Sequence, residues 1–160
     1  MQVSSQKLHE RGNISIMSTA VDSANLILKL YELRREETMR QARNFVFTFD
    51  PKSAQEYMAG MMGANSAYIR MVTSYWEMAA SFVVNGAIDA TMFDQANGEH
   101  VFVFAKFEPI LADLRAMMGP SLFKNLEHVC LNPPVGIERV RAVQERLRGM
   151  IAARAAAASN

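Results

Sequence analysis

A lone cysteine, Cys130, has no partner for an intramolecular disulfide and cannot build a cysteine-rich metal cluster. Nothing therefore calls for an oxidising compartment, and a cytoplasmic location is the expectation. Long apolar runs are lacking as well. Stretches such as Leu26 to Leu28 or Met78 to Val84 fall far short of the roughly 20 residues a membrane span requires, and the first twenty residues hold no apolar core of a signal peptide. Charge of one sign is not in excess: 17 basic and 16 acidic residues leave a net charge of +1. No overall field then draws the chain to nucleic acid, anionic membrane or acidic substrate, and any charged site must be local.

Histidine is scarce and scattered, at His9, His100 and His128, and no ligand spacing for a metal appears. His128 and Cys130 stand two apart on a helix and diverge, so Cys130 reads as a buried, inert thiol rather than a nucleophile. The phosphate-cradling, dinucleotide, zinc-protease and nucleophile-elbow motifs are all missing. No cofactor, no metal and no catalytic residues are expected, and the chain reads as a non-enzyme. Sustained period-two alternation is also absent. Phe45 to Phe49 and Val101 to Phe104 are short aromatic runs that helices carry equally well.

What is present is helical periodicity in a chain of 160 residues, half of them hydrophobic and 21% charged, enough for one buried core. Met1 to about Met17 is polar and aperiodic and reads as a poorly ordered leader, with Met17 a candidate start. From Asp22 to about Phe47, Leu26, Leu30, Leu33, Met39, Ala42 and Val46 recur at three and four residue steps. The cluster Arg34, Arg35, Glu36, Glu37 interrupts that face and predicts a bend. Thr19 to Asp22 offers a cap for its start. Ser53 and Glu56 have capping-box spacing after Pro51, and Gly60 and Gly63 are expected to end a short helix.

Asn65 to Asn85 carries two adjoining apolar stripes, which predicts a central helix ended by Gly86. Asp89 opens a short helix closed by Asn97 and Gly98. Glu99 to Met118 should kink, or divide, at Pro109. Gly119 and Pro120 restart a helix that runs to Leu131, and the last extends from about Ile137 to Ala156, ahead of a frayed tail at 157–160. The fold class expected is an all-α, single-domain irregular bundle of five to seven helices over residues 18–156.

Glu77 stands out, because it lies on the helix with the least polar surface and an unpaired carboxylate is costly to bury. An arginine from another helix, Arg34, Arg43 or Arg115, is its expected partner. Twelve methionines, Met58, Met61 and Met62 among them, supply adaptable packing and surface. The Arg-rich last helix lacks the Trp or Phe of interfacial helices and reads as a solvated bundle helix.

Four blocks carry a resemblance: LYELRREETMRQARNFV (Leu30 to Val46), YWEMAASFVVNGAIDATMF (Tyr75 to Phe93), FAKFEPILADLRAMMG (Phe104 to Gly119) and LFKNLEHVC (Leu122 to Cys130). Together they resemble a bacterial family of small helical domains of unknown function, over roughly residues 26 to 131. Other members look membrane-tethered by an N-terminal hydrophobic helix, and no such run stands in this sequence. The resemblance implies a helical fold and brings no activity. It marks Tyr31, Glu32, Arg34, Glu77, Asp89 and Arg115, with Trp76 as the aromatic before Glu77, as candidate binding positions. The function expected is a helical module engaging a protein partner or a second copy of itself. The alternative is a small-molecule binder with a Met- and aromatic-lined pocket between helices, its ligand oriented by Arg115 or Glu77.

Overall fold

A Thr-x-x-Asp sequence opens the first helix by satisfying donors that a helix start leaves without partners. Thr19 Oγ1 accepts the Asp22 N–H at 3.1 Å, and Asp22 Oδ2 accepts the Thr19 N–H at 3.1 Å. The computed structural model describes residues 18–159, and the expectations for the leader and for Met17 lie outside the described residues. Nine α-helices lie among the described residues: α1 (Ala20–Arg35), α2 (Glu37–Thr48), α3 (Ala54–Met62), α4 (Ser66–Val84), α5 (Ala90–Ala96), α6 (Glu99–Phe107), α7 (Leu111–Met118), α8 (Lys124–Leu131) and α9 (Ile137–Ala158). A 3-10 turn, Glu108–Ile110, joins α6 to α7 with Pro109 in it. No strand occurs among the described residues, so the fold is all-α. Counting α6 and α7 as one bent rod gives eight helices, against the five to seven expected.

The additional helix comes from the break inside Arg34–Glu37. Arg34 and Arg35 form a basic last turn of α1 and Glu37 an acidic first turn of α2, which suits the opposite dipole ends meeting there. Glu36 leaves the helical conformation at ψ 139°, and its carboxylate accepts the N–H groups of Thr38 at 3.1 Å and Met39 at 2.8 Å. A surface charge cluster in the sequence is thus a helix stop and a helix start in the structure.

Three other boundaries differ from expectation. Gly60 lies inside α3 rather than ending it, because Phe49 crosses there: a Cβ at this position would stand 2.6 Å from Phe49 Cζ and 3.0 Å from Ile69 Cδ1. Gly63 closes α3 in an extended conformation, not a left-handed one. Helix α8 starts at Lys124 instead of Pro120, because Gly119 at φ 109° and Phe123 at φ 54° turn the chain before it can coil. Finally, α9 continues through Ala158, into the segment expected to fray.

Helix α4 is the centre of the arrangement, packed most extensively against α2 and α8, while α6 packs on α8 and α9. Its two apolar stripes place Ile69, Val72, Trp76, Ala79 and Ala80 in the core. Trp76, Tyr57, Phe93, Phe104 and Phe107 are its largest fully buried side chains. Burying one aromatic of this size contributes about 1.5–3 kcal/mol. By contrast, α1 buries only Ser23 and Leu30 and is held through α2 and α5.

One charge lies in the apolar run of α6. Lys106, 7% exposed, donates to the carbonyls of Val46 at 2.8 Å, Phe47 at 3.0 Å and Phe49 at 2.7 Å. Its ammonium thereby satisfies the end of α2, where carbonyls lack intrahelical partners and a cation is favoured. Burial pushes the Lys106 pKa down to about 8.

Candidate functional site

A polar cluster forms where α1, α2, α4 and α6 meet. Glu99 opens α6, whose N-cap, Gly98, supplies no side-chain cap, so a carboxylate there is favoured by the helix dipole. Arg43 of α2 clamps it, with Nε 2.9 Å from both oxygens and Nη2 2.5 Å from Oε2. Trp76 Nε1 donates to Glu99 Oε1 at 3.3 Å, and Arg34 Nη1 stands 4.0 Å from Oε2. The hydrogen bond to Glu99 holds the Arg43 pKa above its ordinary value.

Arg34 completes the cluster. Its guanidinium carbon lies 5.4 Å from the Trp76 ring centre and 5.7 Å from that of Tyr31. Its side chain is only 12% exposed, and its buried Nε has no hydrogen-bond partner. Beneath it, the Tyr75 hydroxyl donates to the Leu30 carbonyl at 2.7 Å, and burial pushes its pKa up to about 12. Three of the positions marked in the sequence, Tyr31, Arg34 and Trp76, are therefore brought together. The carboxylate that Arg34 and Trp76 share is Glu99, and not Glu77.

Glu77 serves another purpose. Its Oε1 accepts from the backbone N–H of Asn125 at 2.9 Å and from Asn125 Nδ2 at 2.8 Å, and its Oε2 accepts from the Leu126 N–H at 2.9 Å. The expectation of an arginine partner is corrected for a physical reason. Helix α8 begins after Phe123, which has no side-chain oxygen to cap it, and its free N–H groups recruit a carboxylate from α4. Arg115 latches the same corner, donating from Nε to the Leu122 carbonyl at 3.0 Å and from Nη1 and Nη2 to Glu127 at 3.1 and 2.8 Å. Asp89 is the N-cap of α5, accepting the Met92 N–H at 2.7 Å. Glu32 lies exposed on α1. These four are not gathered with Arg34 and Trp76.

Sequence reasoning missed Glu99, Lys106 and a third cluster around His100. His100 is fully buried against Trp76 and Phe93, and neither ring nitrogen has a hydrogen-bond partner. Asp94 Oδ1 is 3.8 Å from its Nε2, while the same carboxylate is held by Arg139 Nη1 at 2.5 and 2.6 Å. Burial pushes the His100 pKa down to about 4, so the imidazole is neutral at pH 7. A charged residue inside an apolar helix, Lys106 within EHVFVFAKF, was a visible signal. Glu99 gave none, because its partners lie 56 and 23 residues away.

The Glu99 carboxylate takes three donors, the Cys130 thiol is buried with its pKa pushed up by burial, and no group of three or more potential metal ligands occurs among the described residues. Beside the Arg43–Glu99 pair a cleft of about 490 Å³ opens between α2 and α6. No helix among the described residues is long and apolar enough to cross a membrane.

A family model described as "Domain of unknown function (DUF4760)" matches residues 19–132, from the cap of α1 to the end of α8. Helix α9 lies beyond the match. Comparison with curated proteins and with solved structures finds no match.

Proposed function

The chain belongs to the DUF4760 family of domains of unknown function, and from that premise we propose that it is a non-enzymatic interaction module that self-associates through the outer face of α1. The supporting observation is the exposure of this helix. Val21, Leu28 and Tyr31 are 69%, 60% and 51% exposed, and their spacing of seven and three residues places them on one stripe, opposite the buried Ser23 and Leu30. An apolar stripe along a weakly packed helix is the surface another helix covers.

A second copy is the occupant proposed, since at a net charge of +1 two chains repel each other little. Tyr31 and Glu32, both marked by the family resemblance, lie on exposed positions of the same helix. The alternative pocket oriented by Arg115 or Glu77 receives less support, since both side chains are engaged within the fold.

Size-exclusion chromatography with multi-angle light scattering over a concentration series tests the reading. The wild-type mass should rise toward that of a dimer, and Leu28→Glu, at an exposed position, should hold the chain monomeric with unchanged circular dichroism. A strictly monomeric wild type at millimolar concentration overturns it.

A further inference from the structure

We infer that the cleft between α2 and α6 binds a small organic anion with a flat apolar body. Its volume of about 490 Å³ falls within the range of small-molecule sites. Its base is apolar, built from Val46, Val72 and Val103, and one side is the aromatic pair Phe47 and Phe102, stacked at 5.2 Å with ring planes 8° apart. Phe47 is 40% exposed and offers an edge against which a planar group packs.

Charge around the cleft is positive in a chain that is nearly neutral overall. Arg40 and Arg43 line it, and the Arg154 guanidinium of α9 lies 4.8 Å from the Phe47 ring centre. Glu99 is the one carboxylate in the lining, and it is taken up by Arg43. Arg40 forms no ion pair among the described residues. The carboxylate that feels its charge is Glu36, one turn before it, whose two oxygens already accept backbone N–H groups. The free guanidinium presents the forked donors suited to a carboxylate, sulfonate or phosphate.

This inference does not depend on self-association, since α1 contributes nothing to the cleft lining. The full chain, labelled with nitrogen-15, is titrated with 2-naphthoate and separately with its neutral amide, 2-naphthamide, and followed by two-dimensional NMR. The expected result is saturable shifts centred on the amides of Asn44, Phe47, Gly98 and Glu99 and on the Trp76 indole, whose N–H reports Glu99 directly. Arg40→Ala, an exposed change, should weaken 2-naphthoate about tenfold, corresponding to one charge-assisted hydrogen bond, and the amide should bind wild type about tenfold more weakly than the acid. Failure to saturate, shifts centred elsewhere, or equal binding by acid and amide overturns the inference. So does an unchanged affinity in Arg40→Ala whose spectrum is otherwise that of wild type.

Discussion

Arg43 and Glu99 join α2 to α6 side-on, with Nε 2.9 Å from both carboxylate oxygens and Nη2 closing on Oε2 at 2.5 Å, across 56 residues of chain. This contact sets the edge of the cleft and ties the one tryptophan to it. The side chains are 30% and 22% exposed, so the pair is neither a screened surface bridge nor a fully dry one.

Breaking that pair from one side should cost more than removing it whole. Glu99→Gln leaves Arg43 and the buried Arg34 facing each other without a counter-charge, and is expected to destabilise the fold by about 2–3 kcal/mol. The double variant Arg43→Met with Glu99→Leu should recover part of that loss. Urea denaturation followed by Trp76 fluorescence measures both. Equal stability of Glu99→Gln and wild type would show that the carboxylate charge is idle.

Glu77 holds the start of α8 through two backbone N–H groups. Glu77→Gln keeps one carbonyl acceptor but loses the charge at a helix N-terminus, with an expected loss of about 1–2 kcal/mol, and Glu77→Ala should lose more. Thermal denaturation checks the order. In hydrogen exchange, protection at Asn125 and Leu126 should fall before that of α2, whereas loss at α2 first would point to a partner elsewhere.

His100 predicts an acid limb to stability. Its folded pKa, pushed down to about 4 by burial, lies below the ordinary value of 6.5. Between those values the unfolded chain binds the proton and the folded chain does not, so stability is fully present above about pH 6.5 and declines as pH falls toward 4. Equilibrium denaturation across that window should show a loss of up to about 3 kcal/mol from this group. Charges facing it are Asp94, which favours protonation, and Arg139 and Arg34, which oppose it. His100→Gln should flatten the slope between pH 6.5 and 4, and an undiminished slope in that variant would assign the acid sensitivity to carboxylates instead.

Much of the helical layout was legible because its signals are local. The Thr19–Asp22 box, the Ser53 cap, the stripes of α4 and the break at Pro109 each rest on residues within a few positions of one another. The failures share a cause. Gly60 reads as a terminator until Phe49 is seen to occupy the space a side chain would need, and Pro120 reads as a helix start until Phe123 turns left-handed before α8. In both, a neighbour or a turn defined by the whole fold overrides local preference.

Of the marked positions, the sequence located Tyr31, Arg34 and Trp76 as worth attention but paired the arginine with the wrong glutamate. An orphan carboxylate on an apolar helix calls for donors, and the sequence favoured arginine because that is the commonest strong partner. The tertiary structure instead offered the bare N-terminus of α8, and gave Arg34 and Arg43 to Glu99 and Arg115 to Glu127. Composition and periodicity by themselves determined an all-α chain with α4 at its centre, since burial of apolar stripes at helical spacing admits little else. Which carboxylate meets which arginine, why α1 keeps Val21, Leu28 and Tyr31 in water, and where a cleft opens were decided only when the helices packed. Those outcomes depend on distances between residues far apart in the chain, and no local pattern encodes them.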